Sequence, residues 1–300
     1  MSVWQLTVET GDSEGRRVDQ TEAVMAKAAN ENFPVAPLLL PRAVRRHLLA
    51  IYGFARLVDD LGDEAPGDRL AQLDRIEGDL DRIWADPGPA GPDGRVPSHP
   101  LLVELAATVR TFDIPPEPFH RLIQANRQDQ VVGRYQRFED LVAYCELSAN
   151  PVGHLVLYVF RAVTPERLEL SDAICTALQL TEHWQDVAED LARDRVYLPQ
   201  EDLARFGADH RDLAAPHAGE GVRRLLEFEV ARTAALFDQG APLIGSLRGR
   251  ARLTVAGFLA GGRAALAAIA DAGYDVLSVS PKPTRRRLAR EMWSILLRKG

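Results

Sequence analysis

Apolar residues recur along this chain at steps of three and four, and no strict apolar–polar alternation of the kind a half-buried strand needs stands out. Leu48, Ile51, Tyr52, Ala55, Val58 and Leu61 follow that step. So do Ile174, Leu178, Thr181, Gln185 and Ala188, flanked by Leu180, Trp184 and Val187. Two amphipathic helices are predicted there, the first entered at Pro41 and the second beginning at Ser171-Asp172. From Trp84 to Pro100 the segment WADPGPAGPDGRVPSHP is too rich in proline and glycine for helix. It reads as a surface loop, not a domain boundary, because chemically suggestive residues stand on both sides of it. No segment repeats at a fixed period. The pattern predicts an all-α fold, a bundle of roughly eight to ten helices in one domain. Residues 1–20 read as a disordered tail, 21–280 as the helical domain, and 281–300 as a basic amphipathic segment.

Composition narrows the function classes. At 46% hydrophobic, the 300 residues can bury a sizeable core. A net charge of −7 argues against nucleic acid as a partner, since phosphate binding needs a basic face. Cys145 and Cys175 lie in apolar runs and match no metal spacing or disulfide framework. Both read as buried structural thiols in a reducing cytoplasm. The N-terminus lacks the basic-then-apolar order of a signal peptide, and no apolar run reaches the length of a membrane span. The expectation is a soluble cytoplasmic protein with peripheral membrane contact.

Two acidic rows carry the chemistry. In YGFARLVDDLGDE, helical spacing places Tyr52, Arg56, Asp59, Asp60 and Asp63 on one face. In QLTEHWQDVAEDLARDRVYLP it does the same for Gln179, Glu182, Asp186 and Asp190, with Arg193 and Arg195 following. Like charges one turn apart cost a helix about 0.2–0.5 kcal/mol, and more beside apolar residues. A divalent cation offsets that repulsion, and Mg²⁺ takes hard oxygen ligands while bridging to substrate phosphates. Either row alone reads first as a solvated acidic surface, since acidic helix faces are common. Two matching rows inside apolar helices suggest metal-assisted departure of a diphosphate, with the bundle interior holding a hydrocarbon.

Other residues keep alternative readings. Tyr144 fits a hydroxyl in the pocket as well as a core tyrosine with a satisfied hydroxyl. Asn150-Pro151 marks a helix break, with Asn150 as N-cap; the break could also offer backbone donors to a ligand. His183 lies one position off the acidic face and reads as structural. There is no HExxH, P-loop or G-x-G-x-x-G, so neither zinc-protease chemistry nor a Rossmann-bound nucleotide is supported.

At these residues the sequence resembles the squalene/phytoene synthase family. YGFARLVDDLGDE is similar to that family's first D-x-x-x-D region. QLTEHWQDVAEDLARDRVYLP is similar to its second, with the R-x-Y-L-P tail, and AYCELSANPVG to the helix bearing its active-site tyrosine. The likeness runs from about Glu31 to Asp275. It implies an isoprenoid-synthase helical bundle with a central cavity and the acidic helices facing each other. It implies Mg²⁺ held by Asp59, Asp63, Asp186 and Asp190, with Asp60 counted in the first set. Arg56 and Arg195 would bind diphosphate, Tyr144 would assist ionisation or steer the cation, and Tyr52, Gln179 and Glu182 would contact substrate. Glu182 stands where the family commonly carries Asn, which leaves the second-site coordination open.

ENFPVA, SANPVG and Trp184-Gln185-Asp186 resemble the hopanoid-pathway branch of that family, which includes hydroxysqualene synthase. The resemblance therefore implies conversion of presqualene diphosphate to hydroxysqualene by a quenching water, which Gln179, Glu182 or Gln185 would hold. Alternatives are head-to-head squalene or phytoene synthesis from two prenyl diphosphates such as farnesyl diphosphate, or a helical scaffold that lost its chemistry. A presqualene diphosphate synthase is the candidate protein partner. The basic C-terminal residues Lys282, Arg285, Arg286, Arg287, Arg290, Arg298 and Lys299, interleaved with Trp293, Ile295, Leu296 and Leu297, read as an anionic-lipid contact. A solvated tail, or a helix packed on the protein's own acidic surface, reads equally well.

Overall fold

The computed structural model describes residues 40–85 and 96–297. The expected tail 1–20, ENFPVA at 31–36, part of the Pro/Gly-rich loop, and Arg298 and Lys299 lie outside the described residues. Fourteen helical segments follow one another: α1 (Arg42–Asp63), α2 (Arg69–Asp81), α3 (Pro100–Phe112), α4 (Glu117–Gln128), α5 (Phe138–Ser148), α6 (Asn150–Val159), α7 (Pro165–Gln185), α8 (Val187–Ala192), α9 (Gln200–Phe206), α10 (His210–Leu213), α11 (Glu220–Gly240), α12 (Pro242–Ser246), α13 (Gly249–Asp271) and α14 (Arg285–Leu297). Ten of them have ten residues or more. Among the described residues the only β pairing is an isolated bridge, Arg134 to Val196.

Several expected boundaries move. Pro41 does precede α1. The second acidic helix starts earlier than Ser171-Asp172, at Pro165, where the Thr164 hydroxyl accepts from Arg167 N at 3.3 Å. A threonine cap followed by proline at the first helical position is a stronger start than the serine and aspartate about two turns later. Asp186 then interrupts that helix with φ −104° and ψ 18°, so α7 and α8 meet at a kink. Asn150 is not an N-cap: it is the first helical residue of α6, and its side-chain oxygen accepts from the Thr176 hydroxyl at 3.0 Å. Pro100 belongs to α3, not to the loop, and His99 caps it.

Two apolar clusters fill the interior. One gathers α1–α4 and α6 around Phe54, Leu73, Leu102 and Phe119; the other gathers α5, α7 and the later helices around Trp184, Leu225, Phe237 and Leu259. The centre of the second is α7, packed against α11, α6 and α13. Close approach there rests on glycine. A Cβ on Gly240 would sit 2.7 Å from the Leu170 carbonyl oxygen, and one on Gly262 would sit 2.6 Å from Leu178 Cδ2. Contrary to the sequence expectation, α13 is long and apolar enough to cross a membrane by length and composition; most of it is buried, as in a core helix.

Helix directions follow from a few contacts. Arg167 near the start of α7 bonds Ser246 just before α13 begins, and Gly262 of α13 faces Leu178 of α7, so α7 and α13 run parallel. Arg252 of α13 donates to the Leu296 carbonyl at 3.3 Å, so α14 folds back antiparallel on α13. Leu288, Met292, Ile295 and Leu296 pack that helix onto the core.

Candidate active site

A cavity opens between α1, α6, α7 and α13, with about 1320 Å³ of empty space, its open mouth included. Its lining is sorted by chemistry. Along α1 it runs from Leu48 and Ile51 through Tyr52 and Ala55 to Asp59. Along α7 it runs from Ile174 and Leu178 to Gln179 and Glu182. At 1.5 Å per residue, Leu48 to Asp59 spans about 16 Å. Both helices therefore go from apolar at the N-terminal end to acidic at the C-terminal end. Val156, Leu243, Val255 and Phe258 add further apolar wall. Cys175 also lines the cavity and is only partly buried, which corrects the expectation that both cysteines are core thiols; Cys145 is fully buried. Both thiols are free.

The first acidic row divides. Asn126 Nδ2 donates to Asp59 Oδ1 at 3.1 Å. Asp59 is exposed, but into the cavity it lines. The protein around it thins its hydration and pushes its carboxyl up to about 6; Asp63 and Asp129 add to that, while Asn126 and Arg56 oppose it. Asp63 pairs with Arg195 at 2.8 Å. Asp60 instead pairs with Arg56 at 2.8 Å, and Arg56 also reaches Glu64 at 3.4 Å. Helical spacing put Asp59, Asp60 and Asp63 on one broad face, yet neighbours 59 and 60 are rotated about 100° apart and meet different partners.

The second row bends at Asp186. Gln179 and Glu182 line the cavity before the bend, and Asp186 and Asp190 lie past them. Burial, then Glu189 and Asp190, raise the Asp186 carboxyl; the Ser280 hydroxyl donates to it at 3.2 Å. Gln185 is buried and donates to the Pro281 carbonyl, away from the cavity lining. His183, expected to be structural, is buried and stacks on Tyr197 with ring centres 3.6 Å apart. The Gln179 amide nitrogen has only protons to offer, so His183 Nε2 accepts at 3.3 Å. On the other side of the ring, Nδ1 faces Asp190 Oδ2 at 3.9 Å.

Asp129 joins the two rows, and sequence reasoning missed it. It follows the last turn of α4. Tyr144, buried on α5, donates its hydroxyl to Asp129 Oδ2 at 2.7 Å, and the Tyr197 hydroxyl stands 3.5 Å from Oδ1. Tyr144 thus takes the second of its two sequence readings, a core ring with its hydroxyl satisfied, and it does not line the cavity. Burial pushes Asp129 up to about 6, opposed by the Tyr144 hydrogen bond, Arg195 and His183, and aided by Asp63. The same burial raises the Tyr144 hydroxyl well above its usual value, so it stays a proton donor. Arg195 and Tyr197 reach this point because Val196 N donates to the Gly133 carbonyl and Gln200 N to the Tyr135 carbonyl, both at 2.9 Å. No periodicity marks Asp129, because it stands outside any helix, directly after α4 and at the start of the connection that leads to the tyrosine helix α5.

The donor set suits a hard divalent cation. Asp59, Asp129 and Asp186 all hold their protons more tightly than ordinary carboxyls, first because the protein shields them from water and second because other carboxylates stand nearby; a bound cation would offset both. Among the described residues no three carboxylate or imidazole groups are gathered tightly enough to cage an ion by themselves. Mg²⁺ commonly takes one or two carboxylates and completes its shell with water and substrate phosphate, and this arrangement fits that use.

Comparison with known proteins agrees with the site. A squalene/phytoene synthase family model matches residues 26–290. Hydroxysqualene synthase of Zymomonas mobilis is 33% identical over 218 residues, covering 71% of this chain and 69% of that protein. Phytoene synthase of Mycobacterium tuberculosis is 33% identical over 229 residues, covering 75% and 72%. Among solved structures, squalene synthase HpnC from Alicyclobacillus acidocaldarius superposes with a TM-score of 0.76 at 42% identity, covering 89% of this chain and 96% of that one. A dehydrosqualene synthase in complex with ligand superposes at 0.80 with 23% identity over 95% and 98%, a likeness of fold.

Proposed function

The chain belongs to the squalene/phytoene synthase family, and we propose that within it this protein converts presqualene diphosphate to hydroxysqualene with Mg²⁺, releasing diphosphate and adding water. The observation that carries the reading is a single cavity, apolar at one end and carboxylate-lined at the other. A long hydrocarbon with a diphosphate head fits that division. The hydroxysqualene synthase relatives support this product, as do the SANPVG and Trp184-Gln185-Asp186 segments. Phytoene synthase relatives of equal identity, and the squalene synthase HpnC structure at 42% identity, make head-to-head condensation the competing reading.

In this reading Asp59, Asp63, Asp186 and Asp190 hold the metal, which when bound supplies positive charge to the departing diphosphate oxygens. Asp60 is assigned to orienting Arg56, with which it pairs. Arg195 binds diphosphate once released from Asp63. Tyr144 holds Asp129 in place with its hydroxyl, and the apolar wall keeps bulk water from the rearranging cation. One water adds to the C30 cation and loses a proton. Gln179 and Glu182 line the cavity and are assigned to hold that water; Gln185 does not line it and is dropped from that role. Tyr52, lining the same wall, contacts the hydrocarbon.

We further take residues 21–280 as the catalytic domain and 281–300 as an appended basic segment, in a cytoplasmic protein that meets the membrane peripherally. Substrate delivery by a presqualene diphosphate synthase belongs to the same reading. The deciding experiment is an assay with presqualene diphosphate and Mg²⁺, without NADPH, in water enriched in heavy oxygen. One heavy oxygen in a C30 alcohol is expected. Squalene formed only with NADPH, or phytoene from geranylgeranyl diphosphate, would transfer the protein to the competing reading.

A further inference from the structure

The outer face of α14 is built differently from its inner face. Leu288, Met292, Ile295 and Leu296 turn inward and pack on the core. Arg286, Arg290, Trp293 and Leu297, at steps of four, three and four, share the opposite face and are all exposed. Trp293 is 68% exposed and Leu297 61%, unusual for residues of that size on a helix that already has a packed apolar side. The end of α14 abuts the start of α13 through the Arg252 to Leu296 hydrogen bond. Arg248, Arg250 and Leu253, all exposed, stand there. Among the described residues, Arg248, Arg250, Arg286 and Arg290 have no ion-pair partner, in a chain whose net charge is −7.

This surface has a definite place relative to the cavity. The start of α13 lies beside the start of α7, through Arg167 and Ser246. That is the apolar end of α7, and Val255 and Phe258, just inside Leu253, line the cavity wall. The carboxylates lie at the other end, where Ser280 and Pro281, before α14, contact Asp186 and Gln185. Thus α14 runs from the acidic end of the site to its apolar end and carries its bulky exposed residues at the latter.

We propose that the outer face of α14, together with Arg248, Arg250 and Leu253, docks on an anionic lipid bilayer, with the apolar end of the cavity turned toward the membrane. Arginines paired with lipid phosphates and an aromatic ring at the headgroup level are the chemistry of an interfacial helix. The occupant is a lipid surface and not a protein because the exposed apolar side chains are few and ringed by unpaired arginines. The docking does not depend on which prenyl diphosphate reacts. Passage of a hydrocarbon product from cavity to bilayer does rest on the proposed reaction, and the experiment separates the two.

The test is co-sedimentation of the full chain with vesicles of phosphatidylglycerol and phosphatidylcholine, compared with phosphatidylcholine alone. The expected result is pelleting with the anionic vesicles only, reversed by salt. Each basic residue near such a surface contributes about 1 kcal/mol, about fivefold in partitioning, so R286Q/R290Q is expected to lose about 25-fold. W293S/L297S is expected to stay in the supernatant while keeping the wild-type melting temperature and turnover of detergent-dispersed substrate. Wild-type protein that ignores anionic vesicles, or variants that pellet equally well, would overturn the proposal. A wild-type dimer in solution that W293S/L297S dissociates, with no vesicle binding, would also overturn it and assign the face to a second copy of the chain. If vesicles bind and presqualene diphosphate is not turned over, the docking stands and the reaction assignment falls.

Discussion

Arg195 Nη2 lies 2.8 Å from Asp63 Oδ1, across 132 positions of sequence. The pair joins the tail of the second acidic motif to the last aspartate of the first, and Arg195 is only 14% exposed. A guanidinium there holds the first row in place before substrate arrives and is available to diphosphate oxygens afterwards. Arg195→Gln is expected to raise KM for the diphosphate roughly 10- to 100-fold, the worth of one charge-assisted hydrogen bond. Steady-state kinetics check this; an unchanged KM would leave Arg195 a purely structural residue.

Asp59→Asn and Asp186→Asn are each expected to abolish turnover without unfolding the protein. Each removes a carboxylate whose pKa is raised, by burial first and by neighbouring carboxylates second, so thermal stability holds or rises. Circular dichroism melts beside product assays test both halves. Near-normal activity in both variants would remove the metal assignment.

Tyr144→Phe takes away the 2.7 Å hydrogen bond to Asp129 and keeps the ring contacts with Tyr135 and Tyr197. The expected outcome is a rate reduced about 10- to 100-fold or an altered product mixture, from a buried carboxyl left short of a donor. Substrate affinity is expected to stay near wild type. Products analysed by mass spectrometry that match wild type in rate and identity would reduce Tyr144 to a core tyrosine.

Glu229 offers a pH test remote from the site. It is fully buried beside Asp202, and the single guanidinium of Arg232 stands 3.6 Å from Glu229 Oε2 and 3.2 Å from Asp202 Oδ2. Burial pushes Glu229 up to about 8, with Arg232 opposing and Asp202 adding to the rise. A carboxyl whose folded pKa exceeds its unfolded value destabilises the fold increasingly as pH climbs between the two. Glu229→Gln is therefore expected to match wild type near pH 4.5 and to gain stability on it up to pH 8, by about 2–4 kcal/mol. Urea unfolding across that window is the measurement; a constant difference at every pH would refute the assignment.

Gly153→Ala probes the cavity wall. A Cβ there would collide with the Ser171 hydroxyl and lie 2.5 Å from Cys175 Sγ. Both neighbours are held on α7, so about 1–3 kcal/mol of overpacking is expected, together with a narrower cavity. Thermal melts and the chain-length preference of the enzyme check the two effects.

The all-α class was legible because period-3.6 patterning is local: Leu48 to Leu61 declares its helix without reference to anything distant. The acidic rows were legible for the same reason, since one-turn spacing of Asp59 with Asp63 is a property of the segment itself. Helix ends were less so. Asn150 resembles a cap, but its amide is claimed by Thr176 from another helix, and Asp186 bends a pattern that reads straight through it. Partner choice lay wholly in the tertiary structure. Spacing cannot say that Asp60 turns to Arg56 while Asp63 turns to Arg195, nor that Asp129, which has no periodic context, receives the hydroxyl of Tyr144. Those pairings depend on which helices are packed side by side, and electrostatics and burial act through space, not along the chain.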